Sequence, residues 1–235
     1  MCILKQKITT IFLFGNFMKA TTLQFLHSLS KNNNRDWFHT HKEKYEEARL
    51  DVEQLVEFLI PAIRDFDPRI ANLTAKQCMF RIYRDIRFSK DKTPYKTYFG
   101  SYMAPGGRKS PLCGYYLHLE PGNYLLAGGS YHPAGEYLKL IRSEIYYHLD
   151  EFLQIIEEPD FKDTFGELVG DRLKRPPKGF PADFPGIEYL KMKDFTIFYR
   201  LEEQQILSPG FAAYLLEIFG KMKPLNDFFN RALEA

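Results

Sequence analysis

Between Lys76 and Gly100 the chain places Lys76, Arg81, Arg84, Arg87, Lys90, Lys92 and Lys96 against only Asp85 and Asp91. The stretch is strongly basic in a chain whose total charge is only +2. Cations interleaved with Tyr and Phe are the chemistry of anion capture. Arginine's planar fork pairs bidentately with phosphate or carboxylate, and aromatic rings supply an apolar wall or a stacking platform for bases. Arg81, Tyr83, Asp85, Arg87, Lys90, Lys92, Tyr95 and Lys96 are therefore candidate ligand-binding residues, with Trp37 as a further wall. A plainer account fits the same residues: a solvated strand face is often rich in Arg, Asp and Tyr, and its ion pairs are worth a few tenths of a kcal/mol.

A second candidate is Leu126-Ala-Gly-Gly-Ser-Tyr-His-Pro133. Glycines between a strand and a helix N-terminus can present free backbone N–H groups to an anion, which adds Gly128, Gly129, Ser130 and His132. Glycine also serves any strand-to-helix turn, so the pair reads either way. Ser130 and His132 offer a hydroxyl and a base, with no third group placed beside them. No nucleophile elbow, phosphate loop or metal signature occurs. His39 and His41 are two apart, about 200° around a helix, and cannot chelate one metal there. Cys2, Cys78 and Cys113 form no Cys-x-x-Cys pair, so neither a disulfide framework nor a zinc site is expected. No metal and no cofactor are expected.

These groups need a scaffold. Residues 80–88 alternate as a strand does. Phe80, Ile82, Arg84, Ile86 and Phe88 face one way; Arg81, Tyr83, Asp85, Arg87 and Ser89 face the other. Arg84 is then set into a core, where a guanidinium requires an internal carboxylate or a bound anion to offset several kcal/mol of desolvation. Pro94 stops regular structure, and a second strand runs from Thr97 to Met103. Tyr115, Leu117 and Leu119 alternate in a third strand ending at Glu120. Pro121-Gly122 turns the chain into a fourth, Tyr124 to Ala127. Phe195, Ile197, Tyr199 and Leu201 make the fifth. Four strands with no helix between them predict an α+β fold: a mostly antiparallel sheet of about five strands with helices packed against it.

The helices follow from period and caps. Leu23, Leu26 and Leu29 mark a short helix over Thr22 to Leu29, broken by Asn32-Asn33-Asn34. Asn34 or Asp36 caps a long one with the stripe Phe38, His41, Tyr45, Ala48, Val52, Leu55 and Leu59, which Pro61 kinks or ends. Pro133 opens another, striped by Leu138, Ile141, Ile145, Leu149, Phe152 and Ile156. Residues 159–169 make a short helix closed by Gly170, and Glu188 to Lys191 a helical turn. Ser208 caps the last helix, which has Pro209 in its first turn and is divided by Pro224. Between Asp171 and Phe184, Arg172, Lys174, Arg175 and Lys178 among prolines form a basic flap or a plain connector.

With 235 residues, 45% hydrophobic and 26% charged, the chain reads as one soluble globular domain. A total of +2 gives no bulk affinity for nucleic acid, so any anion binding is local. The apolar patch Ile11 to Phe17 is too short to span a bilayer and lacks a good cleavage pattern. Met18-Lys19 reads as an alternative start. Residues 1–17 are expected to be an extension and residues 18–235 a single domain, in a reducing cytoplasm and away from membranes.

Four runs carry a resemblance: Asn34-Arg-Asp-Trp-Phe38, the whole of residues 81–96, Gly128-Gly-Ser-Tyr-His-Pro133 and Pro176-Pro-Lys-Gly-Phe180. On them the chain resembles a bacterial family known as domain of unknown function 2461, over most of residues 20–230. The resemblance implies a single intracellular domain starting near Met18. It brings no activity, cofactor or catalytic residue with it. The expected function is binding of a phosphate- or carboxylate-bearing ligand by the basic strand and loop, the ligand being a small molecule or single-stranded nucleic acid. Two alternatives stand beside it: an enzyme on a phosphorylated or acyl substrate, with Asp85 or His132 as acid or base, and a scaffold whose aromatic surface meets a protein partner.

Overall fold

Four strands carry the fold in the computed structural model, which describes residues 18–234. The expected extension, residues 1–17, lies outside the described residues. The strands are β1 (Phe99–Met103), β2 (Tyr115–Leu119), β3 (Leu125–Ser130) and β4 (Phe195–Arg200). They lie in chain order and every pairing is antiparallel. Ten helices surround them among the described residues: α1 (Ala20–Lys31), α2 (Arg35–Thr40), α3 (Lys42–Arg64), α4 (Ala75–Cys78), α5 (Gly135–Tyr147), α6 (Leu149–Ile156), α7 (Pro159–Phe165), α8 (Ile187–Leu190), α9 (Glu203–Ile206) and α10 (Phe211–Leu233). The fold is α+β. No described helix is long and apolar enough to cross a membrane.

The period of two divides the sheet into unlike faces. Phe99, Met103, Tyr115, Leu117, Leu126, Phe195 and Ile197 share one face and are buried. Against it lies α10, with Phe211, Leu215, Phe219, Met222 and Phe229 in the core. The ring of Tyr115 meets Phe219 at 5.4 Å and that of Phe195 meets Phe229 at the same distance. Helix α3 packs on α10, β1 and α1. The other face carries Gly100, Tyr102, Tyr116, His118, Ala127, Gly129 and Thr196, and is the more polar.

Two asparagines one turn apart on α10 complete the sheet. Continuing the β2–β3 register sets Gly114 opposite Gly129. The side chain of Asn226 stands between them, accepting from the Gly129 N–H at 2.8 Å and donating to the Gly114 carbonyl at 3.0 Å. Asn230 does the same for Cys113, accepting from its N–H at 2.7 Å and donating to its carbonyl at 3.0 Å. Both amides are fully buried and satisfied, as buried polar groups must be.

The sheet has four strands where about five were expected. Residues 80–88 do not form one; they make a single isolated bridge, Tyr83 to Tyr95, just after the bridge from Met79 to Ser101. The alternation is real as far as Ile86, with Ile82 buried and Tyr83 and Asp85 exposed, but Phe88 is 95% exposed. The expected long helix is broken at His41 into α2 and α3, and Asn34 caps α2 by accepting from the Trp37 N–H at 2.9 Å. Pro61 and Pro224 sit inside α3 and α10 without ending or dividing them. Each is exposed, so the carbonyl it leaves unbonded four residues back can turn to water. Helix α7 closes at Gly166, at φ 67°, rather than at Gly170. Pro133 and Pro209 precede their helices instead of starting them.

Candidate functional site

The basic stretch folds back on itself. Arg84 N–H donates to the Pro94 carbonyl at 3.0 Å and Lys96 N–H to the Ile82 carbonyl at 2.8 Å, with Tyr83 facing Tyr95 between them. The returning limb is anchored by Tyr95, buried and stacked on Phe38 at 3.9 Å, and by Asn33, which bonds both the N–H and the carbonyl of Tyr95. Much of the charge is then consumed internally. Arg87 clasps Asp85 bidentately at 2.9 and 2.7 Å. Arg84 pairs with Asp91 and Thr93. The Lys92 ammonium donates to the Ile86 carbonyl at 3.0 Å. Arg84 is thus at the rim and not in the core: its side chain is 26% exposed and that of Asp91 58%. The apolar surround expected for it is missing because Phe88 points to water.

Lys76, Arg81, Lys90, Lys92 and Lys96 are left without an ion pair among the described residues, and of these Lys96 alone is withdrawn from solvent. Its ammonium lies over the rings of Phe80 at 5.2 Å and Tyr98 at 5.4 Å. Burial, then the charge of Arg81, hold its pKa below the usual lysine range. Two ring faces return about 0.5–1 kcal/mol each at partly wet sites, against several kcal/mol for desolvating an unpaired cation. The rings place the ammonium; they do not neutralise it.

Those rings belong to a wall built on the polar face of the sheet. Phe80 meets Tyr116 at 6.3 Å and Tyr98 meets His118 at 4.3 Å. Along β2, residues 116, 118 and 120 point the same way. Tyr116 Oη lies 2.9 Å from His118 Nδ1, and His118 Nε2 lies 3.2 Å from Glu120 Oε2. Glu120 also accepts from Thr97 Oγ1 at 2.6 Å and Asn123 Nδ2 at 3.2 Å. Burial pushes the Glu120 carboxyl up, but the hydrogen bonds from Thr97, His118 and Asn123 outweigh it and its pKa falls below the ordinary value. Burial pushes His118 down, only partly opposed by Glu120. An ionised carboxylate on Nε2 and a neutral imidazole assign the proton to Nε2, so the Tyr116 hydroxyl donates to Nδ1. Burial pushes the Tyr116 phenol well up. Gly100 makes the room: a Cβ there would stand 2.9 Å from Tyr116 Oη.

The other candidates are distributed differently. Gly128 and Gly129 lie inside β3, not at a helix N-terminus, and the Gly129 N–H is held by Asn226. Ser130 is buried at the end of β3. His132 is exposed and its Nδ1 lies 2.8 Å from Asp194 Oδ1, which also accepts the His132 N–H at 2.7 Å. Asp194 is the third group the sequence lacked, but no hydrogen bond joins the Ser130 hydroxyl to the imidazole. Trp37 stands apart, stacked on His41 at 4.1 Å and lining a cleft of about 330 Å³ with Thr21, Gln24 and Lys44. No cluster of His, Cys, Asp or Glu among the described residues could hold a metal ion.

A scan against protein-family models matches residues 21–228 to a family described as conserved hypothetical protein (DUF2461). The chain belongs to the DUF2461 family. No curated protein and no solved structure matches it. For this DUF2461 chain, function must be argued from the wall itself. Sequence reasoning found Lys96 and Arg81 and missed Tyr116, His118 and Glu120. The signal was there: Tyr-x-His-x-Glu at steps of two, on the face of β2 opposite the apolar Tyr115, Leu117 and Leu119.

Proposed function

We propose that the protein binds a small phosphate- or carboxylate-bearing ligand, with Lys96 and Arg81 as its cations and Phe80, Tyr98 and Tyr116 as its wall. The observation that carries this reading is a partly buried ammonium with no carboxylate. A cation withdrawn from water without an internal partner is costly, and a bound anion relieves that cost. Arg81 adds a free guanidinium within electrostatic reach. Lys90 and Lys92 contribute long-range charge, whereas Asp85 with Arg87 forms a neutral pair beside the seat. Gly128, Gly129, Ser130 and His132 are left outside the reading. Buried free thiols at Cys78 and Cys113 support a reducing compartment, the cytoplasm.

Titration calorimetry with inorganic phosphate and simple carboxylates tests the reading. The parent binds, and binding weakens with added salt. Lys96→Met abolishes binding while leaving stability unchanged or slightly raised, because an apolar chain of similar length replaces an unpaired cation. Equal binding by Lys96→Met and the parent would remove this seat from consideration. A second reading, single-stranded nucleic acid, is favoured by Phe88, held out at the loop tip with the Arg87 guanidinium 5.8 Å from its ring centre. An oligonucleotide that binds the parent and not a Phe88→Ala variant would favour it.

A further inference from the structure

We propose that Lys96 is a carbonyl-reactive amine and that the anion bound beside it is a small oxo acid, which it takes up as an imine. This rests on the anion-binding reading and adds a reaction to it. Two features of the wall lead there.

The first is the setting of the amine. Lys162, Lys191, Lys221 and Lys223 are each paired with a carboxylate, of Glu157, Glu188, Asp160 and Asp227 in turn. Lys96 has no such partner among the described residues, and its nitrogen rests on two apolar ring faces. A lysine desolvated against apolar surface and next to a second cation is the arrangement that frees a nitrogen lone pair. The second is Arg81. It makes no hydrogen bond among the described residues and offers the planar fork that suits a carboxylate. An oxo acid carries both functions these two residues ask for, an anionic end for the guanidinium and an electrophilic carbon for the amine.

The step balances without any redox partner. The neutral Lys96 nitrogen adds to the carbonyl carbon, a C–N bond forms and the carbonyl π pair moves to oxygen. That oxygen takes up a proton and leaves as water together with the second proton of the amine. One amine and one carbonyl give one imine and one water. Both protons of that water come from the amine, and at this partly exposed site they pass through solvent.

The test uses the full-length protein, pyruvate as the probe and cyanoborohydride to fix any imine as a secondary amine, with peptide mass spectrometry to place it. The adduct falls predominantly on Lys96, with every other lysine labelled less. Lys96→Arg loses it, Lys139→Met on the exposed side of α5 keeps it, and inorganic phosphate protects against it. Arg81→Ala reduces labelling by pyruvate more than labelling by acetone, which has no carboxylate. Adducts spread evenly over exposed lysines, or an unmodified Lys96 in a protein with the parent's circular dichroism, overturn the proposal. Phosphate binding is measured on the same samples: if it persists without the adduct, the imine alone is lost, and if it too is absent, the anion reading beneath it falls.

Discussion

Gly129 donates its backbone N–H to Asn226 Oδ1 at 2.8 Å. Through the same amide, which donates onward to Gly114, a helix side chain takes the place of a rung between two strands. Asn226→Leu keeps the volume and strands one donor and one acceptor in a fully buried site. Each orphan costs about 1–3 kcal/mol, so the variant loses about 2–6 kcal/mol in urea unfolding. A loss below about 1 kcal/mol would mean that the strands close this rung without help.

The adjacent glycines separate two kinds of constraint. A Cβ at Gly128 would meet the Met222 sulfur at 3.0 Å, the end of a flexible chain. At Gly129, with φ 83°, it would run into the Phe195 carbonyl oxygen, which is held in the sheet. Gly128→Ala should cost about 1 kcal/mol and Gly129→Ala more than about 3. Unfolding curves of the two single variants check the order, and the reverse order would refute this account.

Arg84 gives a smaller effect than a core cation would. Its partners Asp91 and Thr93 share its exposed loop, and such pairs add little. Arg84→Ala should lower the melting temperature by no more than about 3 °C. A drop several times larger would place Arg84 in the support of the core after all.

Acid should weaken the fold in two stages. His118 sits below its ordinary 6.5 in the folded protein, so the unfolded chain takes the proton first. Its contribution is complete above 6.5 and declines as pH falls through the folded value. Glu120 sits below its ordinary 4.5, and its contribution declines below that in the same direction. Denaturant midpoints from about pH 2 to about pH 8 measure the slope. His118→Gln should flatten the upper stage; an unchanged upper slope in that variant would assign it to another group.

The fold was legible in the sequence wherever one periodicity served one environment. Tyr115, Leu117 and Leu119 alternate because β2 has an apolar and a polar side, and β4 reads the same way at Phe195 and Ile197. Residues 80–88 carried that signal without a continuous partner strand to use it: pairing reaches only Ile82–Arg84 against Pro94–Lys96, besides the Phe80 N–H on the Gly100 carbonyl. The same shortfall turned Arg84 outward. Lys96 was legible as a cation, but its loss of an acid partner depends on how the loop returns, which no spacing reveals. Tyr116, His118 and Glu120 were legible in principle, as polar residues at steps of two beside a readable apolar set. Gly128 and Gly129 read as an anion seat or a turn, but they lie inside β3, where α10 and the Phe195 carbonyl come close.

The asparagine rung also sets an order of events during synthesis. Gly129 leaves the ribosome 97 residues ahead of Asn226. At about 5–20 residues per second, the β2–β3 seam waits roughly 5–20 s with two buried-to-be backbone groups still bonded to water. The meander can begin to pair in that interval, but its seam at Gly114 and Gly129 cannot lock. The emerging chain is held open until α10 arrives, so for this sheet the last helix acts as the latch.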